Sequence, residues 1–183
     1  MGWVILGVVV VLILAFLFFA YNGLVTARNR TQEAWSEIDV ELKRRHDLIP
    51  NLVNTVQGYM GHEREVLERV TAARTAYQQA QTMEQKGAAD DAMRGALGRL
   101  FAVAEGYPQL KADASFRQLQ ERISSLEEEI ADRREFFNHS VNAFNVRIEQ
   151  VPDVFLARMM GLSAHALFRV SEEDKQDVQV RFS

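Results

Sequence analysis

The feature that most constrains this chain is an uninterrupted apolar run at its N-terminus. Residues Trp3 to Tyr21 include no charged side chain, and the first charged side chain of the whole sequence is Arg28. A helix over this run, at about 1.5 Å per residue, spans roughly 28 Å, close to the ~30 Å hydrocarbon core of a bilayer. Trp3 and Tyr21 lie at its two ends, where aromatic rings prefer the membrane interface. The run predicts a single transmembrane anchor that contacts the lipid bilayer through residues 3–21.

Two other interpretations of the apolar run are weaker. A cleaved signal peptide needs a basic N-terminal region and a small-residue cleavage site. Met1 and Gly2 carry no basic side chain, and residues 18–21 read FFAY. A buried core helix is disfavoured because the run has no polar face. We therefore expect an uncleaved anchor.

The charges that flank the anchor bear on its orientation. The N-terminal side has only the α-amino group, whereas Arg28 and Arg30 follow the anchor closely. Basic residues tend to remain in the cytoplasm, which favours a cytoplasmic soluble domain. Glu33 and Glu37 lie among these bases and weaken the bias.

Beyond the anchor, the spacing of apolar residues predicts helices. A first stripe advances in steps of 3, 4 or 7, with Arg45 at its one polar position, and comprises Trp35, Ile38, Leu42, Ile49, Leu52, Val56 and Tyr59. Such steps are typical of one helix face. Pro50 removes a backbone hydrogen bond to His46, so either a kink or a complete break is expected there.

The sequence predicts three more helices. One runs from His62 to about Gln85 and stops at Lys86-Gly87, and the next is capped by Asp90 or Asp91 and ends at Gly106-Tyr107-Pro108. The longest helix takes Ser115 as its N-cap. Its stripe comprises Phe116, Leu119, Ile123, Leu126, Ile130, Phe137, Val141, Phe144 and Ile148, with Arg133 as the polar member.

These elements predict an all-α fold, in which a transmembrane helix precedes an elongated antiparallel bundle of long helices with coiled-coil-like stripes. We divide the chain into an anchor (1–22), a helical bundle domain (23–168) and a C-terminal tail (169–183). In the tail, Val178, Val180 and Phe182 alternate with polar residues, which is the pattern of a short strand. A lone strand cannot satisfy its own backbone, so this segment is expected to be disordered or paired with another segment.

The sequence contains no recognisable catalytic constellation. Its net charge of −4 gives no reason to expect a nucleic-acid partner, and the absence of cysteine excludes disulfides and thiolate metal sites. His62-Glu63 begins like a zinc-protease motif, but Val66 stands where the second histidine should be. The consecutive carboxylates Glu127, Glu128 and Glu129 are expected to form a solvated face. We predict no enzymatic activity, no catalytic residue, no cofactor and no metal site.

One polar group is nevertheless of interest, namely Arg44, Arg45, Asp47, Asn51, His62 and Glu63. Arg45 lies on the apolar stripe, where a charge must be paired or reach water. The group predicts either a buried network that sets helix register or a surface for a partner or lipid headgroup.

Several stretches together resemble a known family. They are NGLVTARN at 22–29, AWSEID at 34–39, RRHDLIPNLVNTVQGYMGHE at 44–63 and FNVRIEQVP at 144–152, followed by Gly161-Leu162 and a tail with Phe182. This combination, in this order, resembles the LemA family. The resemblance implies an N-terminal anchor, an antiparallel helical bundle and an accessory or structural role in the bacterial cell envelope. Some relatives begin with a lipoprotein signal and a cysteine, which this sequence lacks.

The expected function is therefore that of a membrane-anchored helical scaffold or accessory protein, acting through protein–protein interaction or membrane organisation in a bacterial inner or plasma membrane. The alternatives are a lipid- or membrane-surface-binding module and, less favoured, an unrecognised hydrolase. Expected partners are the bilayer, a further membrane protein and other copies of the chain. Gly7 and the Val178–Phe182 segment motivate the expected self-association.

Overall fold

The computed structural model describes residues 1–168, and helices make up most of that range. They are α1 (Gly2–Gln57), α2 (Arg64–Gln79), α3 (Met83–Ala104), α4 (Pro108–Ala112), α5 (Ala114–Glu149) and α6 (Asp153–Met159). No strand occurs within residues 1–168, so the predicted helical class is confirmed there. The predicted strand at Val178–Phe182 lies outside the described residues.

The first helix continues from the apolar run into the folded part of the chain. It passes through Pro50 without ending, so the alternative of a complete break is wrong. Proline has no N–H, which leaves the carbonyl of His46 without its helical donor. The Nε–H of Arg74 donates to that carbonyl at 3.4 Å and replaces the missing donor.

The boundary between the second and third helices differs from the prediction. The side chain of Thr82 accepts a hydrogen bond from the backbone N–H of Gln85, and the side chain of Gln85 accepts one from the backbone N–H of Thr82. This reciprocal cap satisfies two N–H groups that a helix start leaves free. The third helix therefore begins at Met83, well before Asp90, and the predicted stop at Lys86-Gly87 lies inside it. Glycine inside a helix costs only about 1 kcal/mol, which the cap and the tertiary contacts offset.

The longest helix is also capped two residues earlier than predicted. The carboxylate of Asp113 accepts a hydrogen bond from the backbone N–H of Phe116 at 3.0 Å, whereas Ser115 lies within the helix and is exposed. The apolar stripe of α5 is buried as predicted, apart from the half-buried Leu119. The buried polar residue of this stripe is Arg134 and not the predicted Arg133. Arg134 follows Ile130 by four residues, so their side chains lie on the same face of α5.

The described chain divides into two compact units. The first comprises residues 1–38 and 133–167. Leu24, Phe144, Ile148 and Ala157 form a core there, and the ring of Trp35 packs edge-on against Phe137 with centroids 5.9 Å apart. Within this unit the contacts of α1 and α5 run in opposite directions, since early residues of one helix meet late residues of the other.

The second unit comprises residues 39–132 together with Phe168. Its core contains residues of α1–α5, namely Ile49, Leu52, Val56, Met60, Val66, Val70, Ala73, Met93, Ala96, Leu97, Leu100, Ala104, Leu110, Phe116 and Ile123.

Tyr59, which the stripe placed inward, is exposed, and Met60 is buried in its place. Helical spacing no longer applies there, because α1 ends at Gln57. The Tyr59 hydroxyl instead donates to Asp113 at 3.0 Å.

Candidate functional site

A buried ion cluster lies at the centre of the second unit. Arg45 has no exposed surface, and its Nη1 donates to a carboxylate oxygen of Glu127 at 2.6 Å. Its Nη2 pairs with the carboxylate of Asp90, which is also fully buried. The side chain of Glu127 keeps 27% of its surface exposed. The cluster thus joins α1, α3 and α5 through one guanidinium.

The position of Arg45 follows from its place in the sequence. It lies three residues after Leu42 and four before Ile49, so its side chain must enter the core with theirs. Burial lowers the pKa of Arg45, and the adjacent Glu127 carboxylate acts in the opposite direction. A guanidinium remains charged in proteins, and the two carboxylates supply the pairing that a buried charge requires. This geometry suits the setting of helix register rather than chemistry on a substrate.

A second polar group lies beside the ion cluster. The rings of His46 and Tyr77 are stacked, with centroids 3.9 Å apart and planes 14° apart. His46 is buried, and neither ring nitrogen has a hydrogen-bond partner within residues 1–168. Burial, reinforced by the charges of Arg45 and Arg74, lowers the pKa of His46 to about 3. The imidazole is therefore neutral at physiological pH.

The hydroxyl group of Tyr77 makes a separate set of contacts. Its hydroxyl donates to the Asp39 carboxylate at 3.1 Å, and the ammonium of Lys86 pairs with the same carboxylate. Burial and the Asp39 charge raise the pKa of Tyr77, so the phenol stays protonated. These contacts join α1, α2 and α3 and are structural.

The polar group that the sequence singled out does not come together as one site. Arg44 is exposed and pairs with Glu41 at 2.9 Å. Asp47, Asn51 and His62 are exposed as well. Glu63 accepts a hydrogen bond from the Tyr107 hydroxyl at 3.2 Å. Within this predicted group, Arg45 alone belongs to the buried cluster.

Neither partner of Arg45 was predicted from the sequence, in which Asp90 was a candidate helix cap and Glu127 was part of an expected solvated face. A usable signal existed at Asp90, which precedes Met93, Leu97 and Leu100 in steps of 3 and 4 and so lies on the apolar stripe of α3. Two opposite charges, each on an apolar stripe, could have been predicted to pair.

The surface of residues 1–168 has two open grooves and no cluster of metal ligands. Within residues 1–168, no group of three or more His, Asp or Glu side chains is placed to hold a metal ion. An open groove of about 780 Å³ lies between α1 and α5 and is lined largely by amide and hydroxyl side chains such as Asn51, Asn54 and Gln118. A second groove of about 600 Å³ lies between α2 and α3 and is lined mainly by alanines. Arg45, Asp90 and His46 line neither groove.

The apolar run is the other functional feature. Within residues 1–168, α1 is the one helix long and apolar enough to cross a membrane. Residues 1–22 are exposed along every face, with the exception of Ala20, which keeps 6% of its surface exposed. Leu24, one turn later, is fully buried. A helix surface that changes from wholly apolar and exposed to core-forming within one turn is typical of a membrane boundary.

Comparison with known proteins gives a consistent set of relatives. The LemA family model matches residues 34–182. Magnetosome protein MamQ 1 of Paramagnetospirillum magneticum is 28% identical over 186 residues, covering 87% of this chain and 68% of the relative. Magnetosome protein MamQ of Magnetospirillum gryphiswaldense is 28% identical, covering 79% and 63%. Protein LemA of Metamycoplasma hominis is 29% identical over 177 residues, covering 92% and 79%.

Proposed function

This chain belongs to the LemA family, and on that premise we propose that it is a membrane-anchored helical scaffold of the bacterial cell envelope. In this proposal it acts through protein–protein contacts or membrane organisation and catalyses no reaction. The observation that carries the proposal is the exposed apolar N-terminal third of α1, which continues without interruption into a folded helical region. Such a helix has a surface suited to lipid and is continuous with the folded residues that follow it.

The buried polar groups support a structural role over a catalytic one. Arg45 and Asp90 are withdrawn from solvent and paired with each other, and His46 is neutral and stacked on Tyr77. A catalytic acid or base must reach the proton that it transfers. These side chains are enclosed, so the proposal assigns them to the stability of the scaffold.

The finer architecture and topology belong to the same proposal. We take the helices as an elongated antiparallel bundle that stands on a single anchor, with the folded part on the cytoplasmic side. Arg28 and Arg30, close after the anchor, support that orientation. The chain lacks cysteine, so a His139→Cys variant offers one exposed labelling site.

Topology is tested by adding a membrane-impermeant maleimide to intact spheroplasts that express His139→Cys. We expect no labelling until the membrane is lysed. Labelling before lysis, with a cytoplasmic control protein unlabelled, would place the folded part outside. The cysteine-free parent controls for background reaction.

The scaffold role is tested by crosslinking in intact cells, purification of the full chain and identification of its protein adducts. The matched control lacks residues 2–19 and keeps Ala20 and Leu24, so it loses the anchor but retains the residues that are buried. We expect adducts, with other copies or with membrane proteins, that the control does not form. An identical adduct pattern in both chains would contradict a membrane scaffold, and turnover of a substrate by the purified protein would contradict the absence of catalysis.

A further inference from the structure

The short helix α6 exposes apolar side chains that nothing in the first unit covers. Val151, Phe155 and Met159 keep 77%, 63% and 84% of their surfaces exposed. Phe155 and Met159, four residues apart, lie on one side of α6, and Val151 lies in the turn that precedes the helix. Ala157 is buried against the core that contains Leu24. The segment is therefore apolar on its outer side as well as on its packed side, which is unfavourable in water.

The position of α6 relative to the anchor follows from contacts at the end of α5. The guanidinium of Arg147 lies directly against Gly23, where an added Cβ would come within 2.7 Å of its Cζ. Ile148 shares a core with Leu24. Because α5 ends at Glu149, its last turn lies level with the first residues that follow the apolar run.

The apolar run itself shows that this contact reaches the expected membrane boundary. Tyr21 ends the run, and Ala20 is the one residue of 1–22 that the folded chain covers. The α5–α6 turn thus lies at the depth at which an interfacial aromatic residue such as Tyr21 is expected.

The charges near α6 are compatible with a lipid headgroup layer. Asp153, at the start of the helix, accepts a hydrogen bond from Nε of Arg147 at 2.8 Å, which neutralises its charge. Arg158 is exposed, and a cation near the membrane surface is attracted by anionic lipids. Glu149 is exposed too and can remain in the hydrated headgroup region.

From these observations we infer that α6 is an interfacial membrane contact: it lies in the headgroup layer of the bilayer that holds α1, with Val151, Phe155 and Met159 among the outer acyl chains. This inference rests on the proposed anchor. Lipid is the occupant because the exposed apolar side chains lie beside the residues that directly follow the lipid-facing run of α1. Three side chains give weak binding alone, and the anchor makes the contact effective by keeping α6 beside the membrane. The contact would limit tilting of the first unit.

The test uses the full chain in liposomes with a single environment-sensitive NBD label. Because the sequence has no cysteine, Phe155→Cys, Met159→Cys, Leu14→Cys and His139→Cys each create one labelling site. Leu14 reports insertion of the anchor, and His139, which is exposed on α5 two turns before Arg147, is the aqueous control. The measurements are the emission wavelength and the quenching by lipids that carry a nitroxide on the acyl chain.

We expect labels at 155 and 159 to emit at shorter wavelength than the label at 139 and to be quenched by the lipid-borne nitroxide, less strongly than the label at 14. Quenching at 14 with labels at 155 and 159 behaving like 139 would overturn this inference and leave the anchor intact. Absence of quenching at 14 would overturn the anchor as well. A blue shift at 155 and 159 without lipid quenching, lost on dilution of protein in lipid, would show that a second copy covers this surface and would also overturn the inference.

Discussion

At the scale of single residues, Arg45 shows how a charged side chain becomes part of a helical core. Leucine at this position would extend the apolar stripe of α1. It would also remove a counter-charge of Asp90, a buried carboxylate. Breaking a buried pair costs far more than replacing the whole pair with apolar residues.

We therefore expect Arg45→Leu to lower the free energy of unfolding by about 3–5 kcal/mol. The double variant Arg45→Leu/Asp90→Leu should lose less than the single variant, since it removes both fully buried charges and leaves only the partly exposed Glu127. Arg44→Leu, one residue earlier and paired only at the surface, is the matched control and should change stability by at most about 1 kcal/mol. Denaturant unfolding of all four proteins measures this, and a single variant as stable as the parent would contradict the assigned role.

His46 predicts a dependence of stability on pH. Its pKa is lowered from 6.5 to about 3 in the folded protein, so below pH 6.5 the unfolded chain binds a proton that the folded chain does not. Stability from this group is present above pH 6.5 and falls as the pH decreases towards 3, by up to about 1.4 kcal/mol per pH unit.

The measurement is the unfolding free energy at pH 7 and pH 5 for the parent and for His46→Phe, which keeps a ring for stacking on Tyr77 but cannot titrate. We expect a smaller difference between the two pH values in His46→Phe than in the parent. His139→Gln, at an exposed position, should keep the dependence of the parent. Equal slopes in the parent and His46→Phe would show that His46 is not the titrating group.

At the scale of elements, helix starts depend on which side chain reaches the free N–H groups. Thr82 with Gln85, and Asp113 with Phe116, provide these contacts for α3 and α5. Serine and aspartate are both common caps, and Ser115, which the sequence analysis named, lies two residues after the residue that caps the helix, Asp113. A difference of one or two residues at a helix start changes few core contacts, because the apolar stripe sets which face is buried.

The capping assignment predicts a contrast between two neighbouring alanine variants. Asp113→Ala should cost about 1 kcal/mol or somewhat more, since the carboxylate also accepts a hydrogen bond from Tyr59. Ser115→Ala lies inside α5 and should leave the unfolding free energy unchanged to within about 0.5 kcal/mol. Thermal and denaturant unfolding distinguish the two, and a larger loss for Ser115→Ala would restore serine as the cap.

At the scale of the whole molecule, the remaining prediction is self-association. No atom lies within 4 Å of a Cβ built on Gly7, so the helix surface there is open to close approach by another helix. Copies anchored in one membrane share an orientation, which favours a closed ring. The strand-like segment at 178–182, outside the described residues, is the second proposed contact.

Light scattering of the full chain in mild detergents should give a mass that is a multiple of 20.9 kDa. A chain ending at Glu172 should form a smaller assembly. A monomeric mass in several detergents would contradict self-association. An assembly of unchanged size after truncation would retain the oligomer and exclude the tail from its contacts.

Local sequence was sufficient to predict the apolar N-terminal segment, the helical class and most of the buried stripe residues, because each depends on the run length or periodicity of neighbouring residues. The spacing also placed Arg45 on the apolar stripe, with a buried network and an exposed surface both left open. The pairing of Arg45 with Asp90 and Glu127, 45 and 82 residues away, depends on the tertiary fold. The tertiary fold also places Arg74 beside the His46 carbonyl, which Pro50 leaves without a helical donor, and places α6 beside the end of the apolar run. These features depend on which helices pack against each other. Periodicity identifies the buried face of a helix, but it does not identify the residues of other helices that contact that face.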